Sequence, residues 1–256
     1  MLTRHSMRQF KYIEKPNLPQ NPVAAVAISI TAGESIKKLK ELNIKSYPIN
    51  SNDDLPKPVN THADLQLLHT GNNDIFCQGE HLCIGESEQK FNIHKIGASA
   101  GNKYPHDVRL NCAIIGNKII CNEKTICREV LDFAYINCFT VINVNQGYSK
   151  CSICIVDENS IITDDESIFA AAGKFLNDVL YVSKGSIGLK GYNYGFIGGC
   201  CGKIDKYKIA FNGEIESHKD CNAIIDFISR YNNECIELCK GPLVDIGGIL
   251  PLYEYI

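Results

Sequence analysis

The sequence has no apolar run long enough to cross a bilayer. Its longest, Val23 to Ile30, falls far short of the ~20 residues a spanning helix needs. It has no block of Lys and Arg either: 26 basic residues stand against 29 acidic ones, for a net charge of -3. Such a chain has no general attraction for nucleic acid, so neither a nucleic-acid partner nor a membrane is expected. Residues Met1 to Lys15 have neither an apolar centre nor a cleavage pattern, so no export leader is expected. Low-complexity sequence is lacking as well. With 45% hydrophobic and 21% charged residues, the composition is that of an ordinary folded protein and excludes wholesale disorder.

What the sequence has in excess is cysteine, thirteen in 256 residues. In a secreted chain this would suggest a disulfide frame with one thiol left over. Here Cys77, Cys112, Cys121 and Cys154 sit inside apolar, strand-like runs, and reduced cysteine behaves as a small buried hydrophobe. Free thiols in a reducing cytoplasm are therefore expected. A chain this long buries enough surface to fold without staples.

The strongest pattern is a repeat. Turn signals fall at Gly71-Asn72-Asn73, Gly116-Asn117, Asp157-Glu158-Asn159, Asp205-Lys206 and near Pro251, each between short apolar runs. Gly116-Asn117, between Ala113-Ile114-Ile115 and Ile119-Ile120, is a strong hairpin signal. The turns recur about every 45 residues, inside the window that marks repeat and propeller architectures. Helical periodicity occupies Glu34 to Leu42, Thr125 to Ala134, Asp165 to Leu176 and Asp220 to Tyr231. Short apolar strands follow at Phe139 to Val144, Val179 to Val182 and Cys235 to Leu238. No clear helix is legible in Glu80 to Lys103. The unit is helix, strand, hairpin, repeated five times. Residues 1–33 read as a lead-in with one strand, and 34–256 as a single domain.

Five αββ units of this length resemble the pentein fold of the guanidino-group-modifying enzymes, an α/β propeller with five-fold pseudo-symmetry. Gln146-Gly147-Tyr148-Ser149-Lys150-Cys151-Ser152, Gly195-Phe196-Ile197-Gly198-Gly199 and Asp245-Ile246-Gly247-Gly248-Ile249-Leu250-Pro251 look like an uncharacterised clostridial branch of it, similar to DUF6873. The resemblance implies an active site at the axis. It implies a Cys nucleophile in module five, after a Gly-Gly-Asn-like turn, and a His-x-Asp or His-x-Glu in module three. Here Gly247-Gly248 matches the turn, Leu252 stands at the nucleophile position, and module three carries Lys150-Cys151-Ser152. A His-x-Asp occurs in module one, as His62-Ala63-Asp64.

The repeat also selects residues by itself. Registered on their turns, the modules place Asp64, Arg109, Lys150, Gly198 and Asp245 in equivalent positions. Two residues on, the same strand face carries Gln66, Asn111, Ser152, Cys200 and Gly247, because strand side chains alternate with period 2. The opposite face, including Leu65, Leu110, Cys112, Ile153 and Ile246, is plain core. The polar face lines a central channel if the modules close into a ring. Asp64 and Asp245 would hold a guanidinium or amidinium, and Arg109 and Lys150 a carboxylate, with Asn111 and Ser152 beside them. Alternatively the four charges pair with one another. By this register Cys200 is the first candidate nucleophile. Cys151, beside Lys150, points to the apolar face, an order that a bulge would reverse. His62 with Asp64 makes a general base with its orienting acid.

No metal or cofactor is expected. Cys151 and Cys154 form a Cys-x-x-Cys, but on a strand positions i and i+3 face opposite ways. Two functions from different classes stay open: a divergent C–N hydrolase or amidinotransferase acting on a small guanidino or amino-acid-like ligand, and a catalytically silent binding or protein-interaction module. The sequence gives no oligomeric state.

Overall fold

The structure is a computed structural model that describes residues 9–78, 90–97 and 100–256. The chain opens with β1 (Phe10–Tyr12), β2 (Val23–Ser29), α1 (Gly33–Glu41) and β3 (Lys45–Ile49). A single helical turn, α2 (Ala63–Gln66), leads into β4 (Leu67–Gly71) and β5 (Asp74–Cys77), followed by β6 (Asn92–Lys95). Three further modules follow the same plan. The second has β7 (Ala113–Ile115), β8 (Lys118–Cys121), α3 (Arg128–Ile136) and β9 (Thr140–Asn143). The third has β10 (Ile153–Asp157), β11 (Ser160–Thr163), α4 (Glu166–Ala172) and β12 (Asp178–Tyr181). The fourth has β13 (Cys201–Asp205), β14 (Lys208–Phe211), α5 (Cys221–Arg230) and β15 (Glu234–Glu237). The chain closes with β16 (Ile249–Tyr255).

Each module is a small mixed sheet. Its hairpin is antiparallel, and the strand that follows pairs parallel with the hairpin's second strand, as in β10-β11-β12 and β13-β14-β15. A parallel neighbour needs a crossover, which α3, α4 and α5 supply. Each helix turns one apolar stripe inward: Val130, Leu131 and Ala134 in α3, Ile168 and Ala172 in α4, Ile224, Phe227 and Ile228 in α5. Asp165 caps α4 by accepting from the backbone N–H groups of Ser167 and Ile168. The apolar core lies between neighbouring sheets: Cys154 and Ile162 of one module pack with Cys201, Ile209 and Phe211 of the next.

The fifth module differs from the expected hairpin at Pro251. There is no turn there. Pro251 lies within β16, which runs antiparallel to β2 from the other end of the chain, with Ile249 opposite Ile28 and Pro251 opposite Val26. The register shifts just after Pro251, where a residue without an N–H does least harm to a ladder. The four-stranded sheet β1-β16-β2-β3 thus joins the two chain ends. The lead-in supplies two strands, β1 and β2, rather than one. Half of Glu80 to Lys103, the stretch without a legible helix, lies outside the described residues.

Cys112, Cys121, Cys127, Cys151, Cys154, Cys200 and Cys201 are buried free thiols. No helix among the described residues is long and apolar enough to cross a membrane.

Candidate functional site

The chain reaches the axis in turns, not in extended strand. Asp64 lies in α2, residues 197–200 form a 3-10 turn, and Ser152 N–H donates to the Tyr148 carbonyl at 3.0 Å, closing a helical turn before β10. Neighbouring side chains there splay by about 100°, as in any helical turn. Period-2 alternation therefore fails at the axis. Cys151, expected on the apolar face, turns into the centre. Cys200, expected in the channel, turns into the apolar core beside Cys154, Cys201 and Phe211, where its thiol donates to the Ile197 carbonyl at 3.2 Å.

Five of the expected site residues meet. The Cys151 thiol donates to Asp64 Oδ2 at 2.9 Å. His62, at the start of α2, places Nδ1 3.7 Å from Asp245 Oδ1. His62, Asp64 and Cys151 are 3%, 2% and 1% exposed, and one donor atom from each lies within 4.8 Å of the others. Asn111 ties the group together: Nδ2 donates to Cys151 Sγ at 3.3 Å and to the Asp64 carbonyl at 3.1 Å, while Oδ1 accepts from Lys150 N–H at 2.8 Å. Asp245 is held by backbone N–H groups, from Phe196 to Oδ2 at 3.0 Å and from Gly247 to Oδ1 at 3.0 Å.

Two glycines make this approach possible. Gly247 has φ +76 and its carbonyl accepts from Asp64 N–H at 3.1 Å; a Cβ there would collide with the Cβ of His62. A Cβ on Gly199 would occupy the place of the Asp245 carboxylate.

The electrostatics are acidic. Burial is the main force pushing the Cys151 thiol well above its ordinary range; the Asp64 and Asp245 carboxylates add to it, and Asn111 opposes them. Burial also raises Asp245, against the pull of His62. Asp64 Oδ1 and His62 Nδ1 are buried without a hydrogen-bond partner.

His62, Cys151 and Asp245 lie at the base of a cavity of about 230 Å³ walled by Tyr148, Tyr192, Tyr194 and Phe196. Sequence reasoning missed these aromatics. For Tyr192, Tyr194 and Phe196 the signal was the density of rings between Gly191 and Phe196, in a stretch with no regular period. Tyr148 donates to Asp107, and burial together with that carboxylate raises its phenol. A wider cavity of about 690 Å³ shares His62 and Asp245 and is bordered by Lys57, Lys190 and the start of α1.

The other expected ligand contacts lie elsewhere. Arg109 Nη2 meets His106 Nδ1 at 2.7 Å, and Arg109 lines neither cavity. Lys150 is buried with Asp64 on a separate void of about 20 Å³. The Ser152 carbonyl accepts from Thr163 Oγ1 at 2.8 Å, and its hydroxyl is buried away from both cavities. No ring of ion pairs joins Asp64, Arg109, Lys150 and Asp245.

Over residues 27–250 the sequence matches DUF6873, a family of unknown function. The chain belongs to this family. No curated protein sequence matches the DUF6873 chain. Solved structures do. C. jejuni agmatine deiminase superposes with a TM-score of 0.53 at 11% identity, over 93% of this chain and 92% of that one. DDAH from Pseudomonas aeruginosa, a cysteine-to-serine mutant complexed with citrulline, gives 0.54 at 9% identity, over 92% and 100%. The inosamine-phosphate amidinotransferase of Streptomyces griseus gives 0.52 at 10%, over 89% and 91%. At these identities the likeness establishes the fold. The DUF6873 chain has the α/β pentein fold expected from its repeat.

Proposed function

We propose that this chain binds a small cationic guanidino compound at its axis and cleaves or transfers the amidino group through Cys151. The observation that carries this is the buried Cys151 thiol hydrogen-bonded to Asp64, with His62 and Asp245 beside it under an aromatic-walled cavity. Two buried carboxylates and no Lys or Arg in the cavity wall favour a cation. The tyrosine and phenylalanine faces favour one too, since a ring's negative face attracts positive charge. The module spacing supports the same roles. The resemblance puts His-x-Asp in module three and the thiol in module five. Here His62-Ala63-Asp64 is in module one and Cys151 in module three, the same order two modules apart.

In the free protein the thiol stays protonated. A guanidinium between Asp64 and Asp245 brings positive charge beside Sγ and offsets the carboxylates, so the thiolate becomes accessible. His62 takes the thiol proton. The thiolate forms a C–S bond to the amidino carbon. As the C–N bond breaks, the amine leaves with the proton held on His62. Water or an acceptor amine then displaces the thiol from the amidino carbon. A substrate carboxylate would extend past His62 and Asp245 toward Lys57 and Lys190.

The alternative is a binding module without chemistry, favoured by the same elevated thiol. A thermal-shift screen of guanidino, ureido and amino-acid compounds, with urea, ammonia and released amine assayed in the same wells, separates the two. A ligand at ten times its dissociation constant stabilises by roughly 1.4 kcal/mol, a readable shift for a chain of this size. A shift with product supports the enzyme, a shift without product the binding module. No shift from any guanidino compound contradicts both.

A further inference from the structure

The axial cluster has the chemistry of a metal site as well as that of a nucleophile. His62, Asp64 and Cys151 come from two modules, yet one donor atom of each lies within 4.8 Å of the others, and all three are buried. Two donor atoms, His62 Nδ1 and Asp64 Oδ1, have no hydrogen-bond partner. A buried polar atom left unpaired is costly, so both are available to a ligand. Asp245 Oδ1, 3.7 Å from His62 Nδ1, is a fourth donor. No Lys or Arg lines the cavity above; the nearest cation is Lys150, which shares a separate small void with Asp64 on the far side.

The donor set selects the ion. Calcium and magnesium take oxygen ligands. A thiolate, an imidazole and carboxylates suit a borderline cation, and zinc takes all three in tetrahedral geometry. Donors around such an ion stand ~3.3–3.8 Å apart, given zinc–ligand bonds of roughly 2.0–2.3 Å. Separations of up to 4.8 Å need to close by about 1 Å, while Cys151 Sγ and Asp64 Oδ2, 2.9 Å apart, need to open by about half an ångström. Sequence spacing could not show this site. The Cys-x-x-Cys at Cys151 and Cys154 drew attention to the wrong pair: Cys154 lies in the apolar core between modules three and four.

We propose that His62, Asp64 and Cys151, with Asp245 as fourth donor, form a zinc site. Binding replaces the thiol proton, which leaves to solvent, so affinity rises with pH. The ion occupies the atoms that the proposed guanidino chemistry needs. Zinc is then a reversible block on that chemistry, a consequence that rests on the guanidino reading, whereas the site itself does not.

The test uses the full, reduced, metal-stripped chain and no guanidino compound. Titration with cobalt(II) as a spectroscopic stand-in for zinc should give one tight equivalent with a thiolate-to-cobalt charge-transfer band. Cys151→Ala should abolish that band. His62→Ala should weaken binding at least as much as the roughly 10–100-fold lost with an outer-shell partner. Cys200→Ser should leave it intact. Zinc should also protect Cys151 of the wild-type chain from iodoacetamide in peptide mapping, while the exposed Cys138 stays reactive; this arm does not depend on any variant folding. A band that persists in Cys151→Ala, or a Cys151 alkylated equally fast with and without zinc, overturns the site. If zinc binds but leaves guanidino binding and turnover unchanged, the blocking role fails and the metal site stands.

Discussion

The Cys151 thiol and the Asp64 carboxylate meet at 2.9 Å although 87 positions separate them in the chain. The contact joins module one to module three. It puts a hydrogen-bonded acid against a thiol that burial already keeps protonated. Removing the charge should therefore have a definite sign. Asp64→Asn should lower the Cys151 pKa and move its alkylation-rate profile to lower pH. The same variant should weaken binding of any guanidinium. A profile that stays put would contradict the role given to Asp64.

The two cysteines singled out by the sequence should separate cleanly. Cys151→Ser should lower turnover of a guanidino substrate by a factor on the order of 10³ or more. Cys200→Ser places a hydroxyl in the core, where it keeps the Ile197 carbonyl as partner. It should cost about 1 kcal/mol of stability and leave turnover unchanged. Denaturant unfolding and a product assay on the same preparations check both.

The sequence carried the architecture but mis-aimed the thiols. A turn such as Gly116-Asn117 is a local signal, and four such signals at even spacing were enough for the ring. The fifth hairpin was not local. β16 and β2 come from opposite ends of the chain, and Pro251 imitated a turn inside a strand. At the axis the register named Asp64 and Asn111, which the fold does bring together, and Asp245, although the turn it was counted from is a strand. It failed for Cys151 and Cys200, because a helical turn before β10 and a 3-10 turn before β13 rotate side chains off the strand period. Arg109 was placed by the same register, yet its guanidinium turns to His106. The cavity wall from Tyr192 to Phe196 has no regular element to give it a period.

Gly247 should be intolerant of a side chain. Its φ of +76 and its approach to His62 make Gly247→Ala cost at least ~1 kcal/mol. The displaced His62 should lower turnover more than it lowers ligand affinity. Normal turnover in Gly247→Ala would show that His62 need not stand where it does.

Asp164 should give stability a slope with pH. Burial raises its carboxyl to about 7, with nearby Lys184 pulling the other way. Between the unfolded value and about 7 the folded state binds more protons than the unfolded one, so this group's contribution falls as pH rises across that window and is flat above it. Asp164→Asn should remove that slope and stabilise the chain at pH 8 by an amount on the order of a few kcal/mol. Equal slopes from pH 4 to 8 in urea melts would exclude the buried acid as their source.

The most direct test of the central claim compares two electrophiles of nearly the same shape, the cationic chloroacetamidine and the neutral chloroacetamide. Peptide mapping after limited reaction at neutral pH reads which thiol is alkylated and how fast. If the axis binds a cation and presents Cys151 to it, the cationic reagent should label Cys151 first and much faster than the neutral one, and the preference should collapse in Asp64→Asn. Labelling confined to surface thiols such as Cys138, or equal rates for the two reagents at Cys151, would contradict the account.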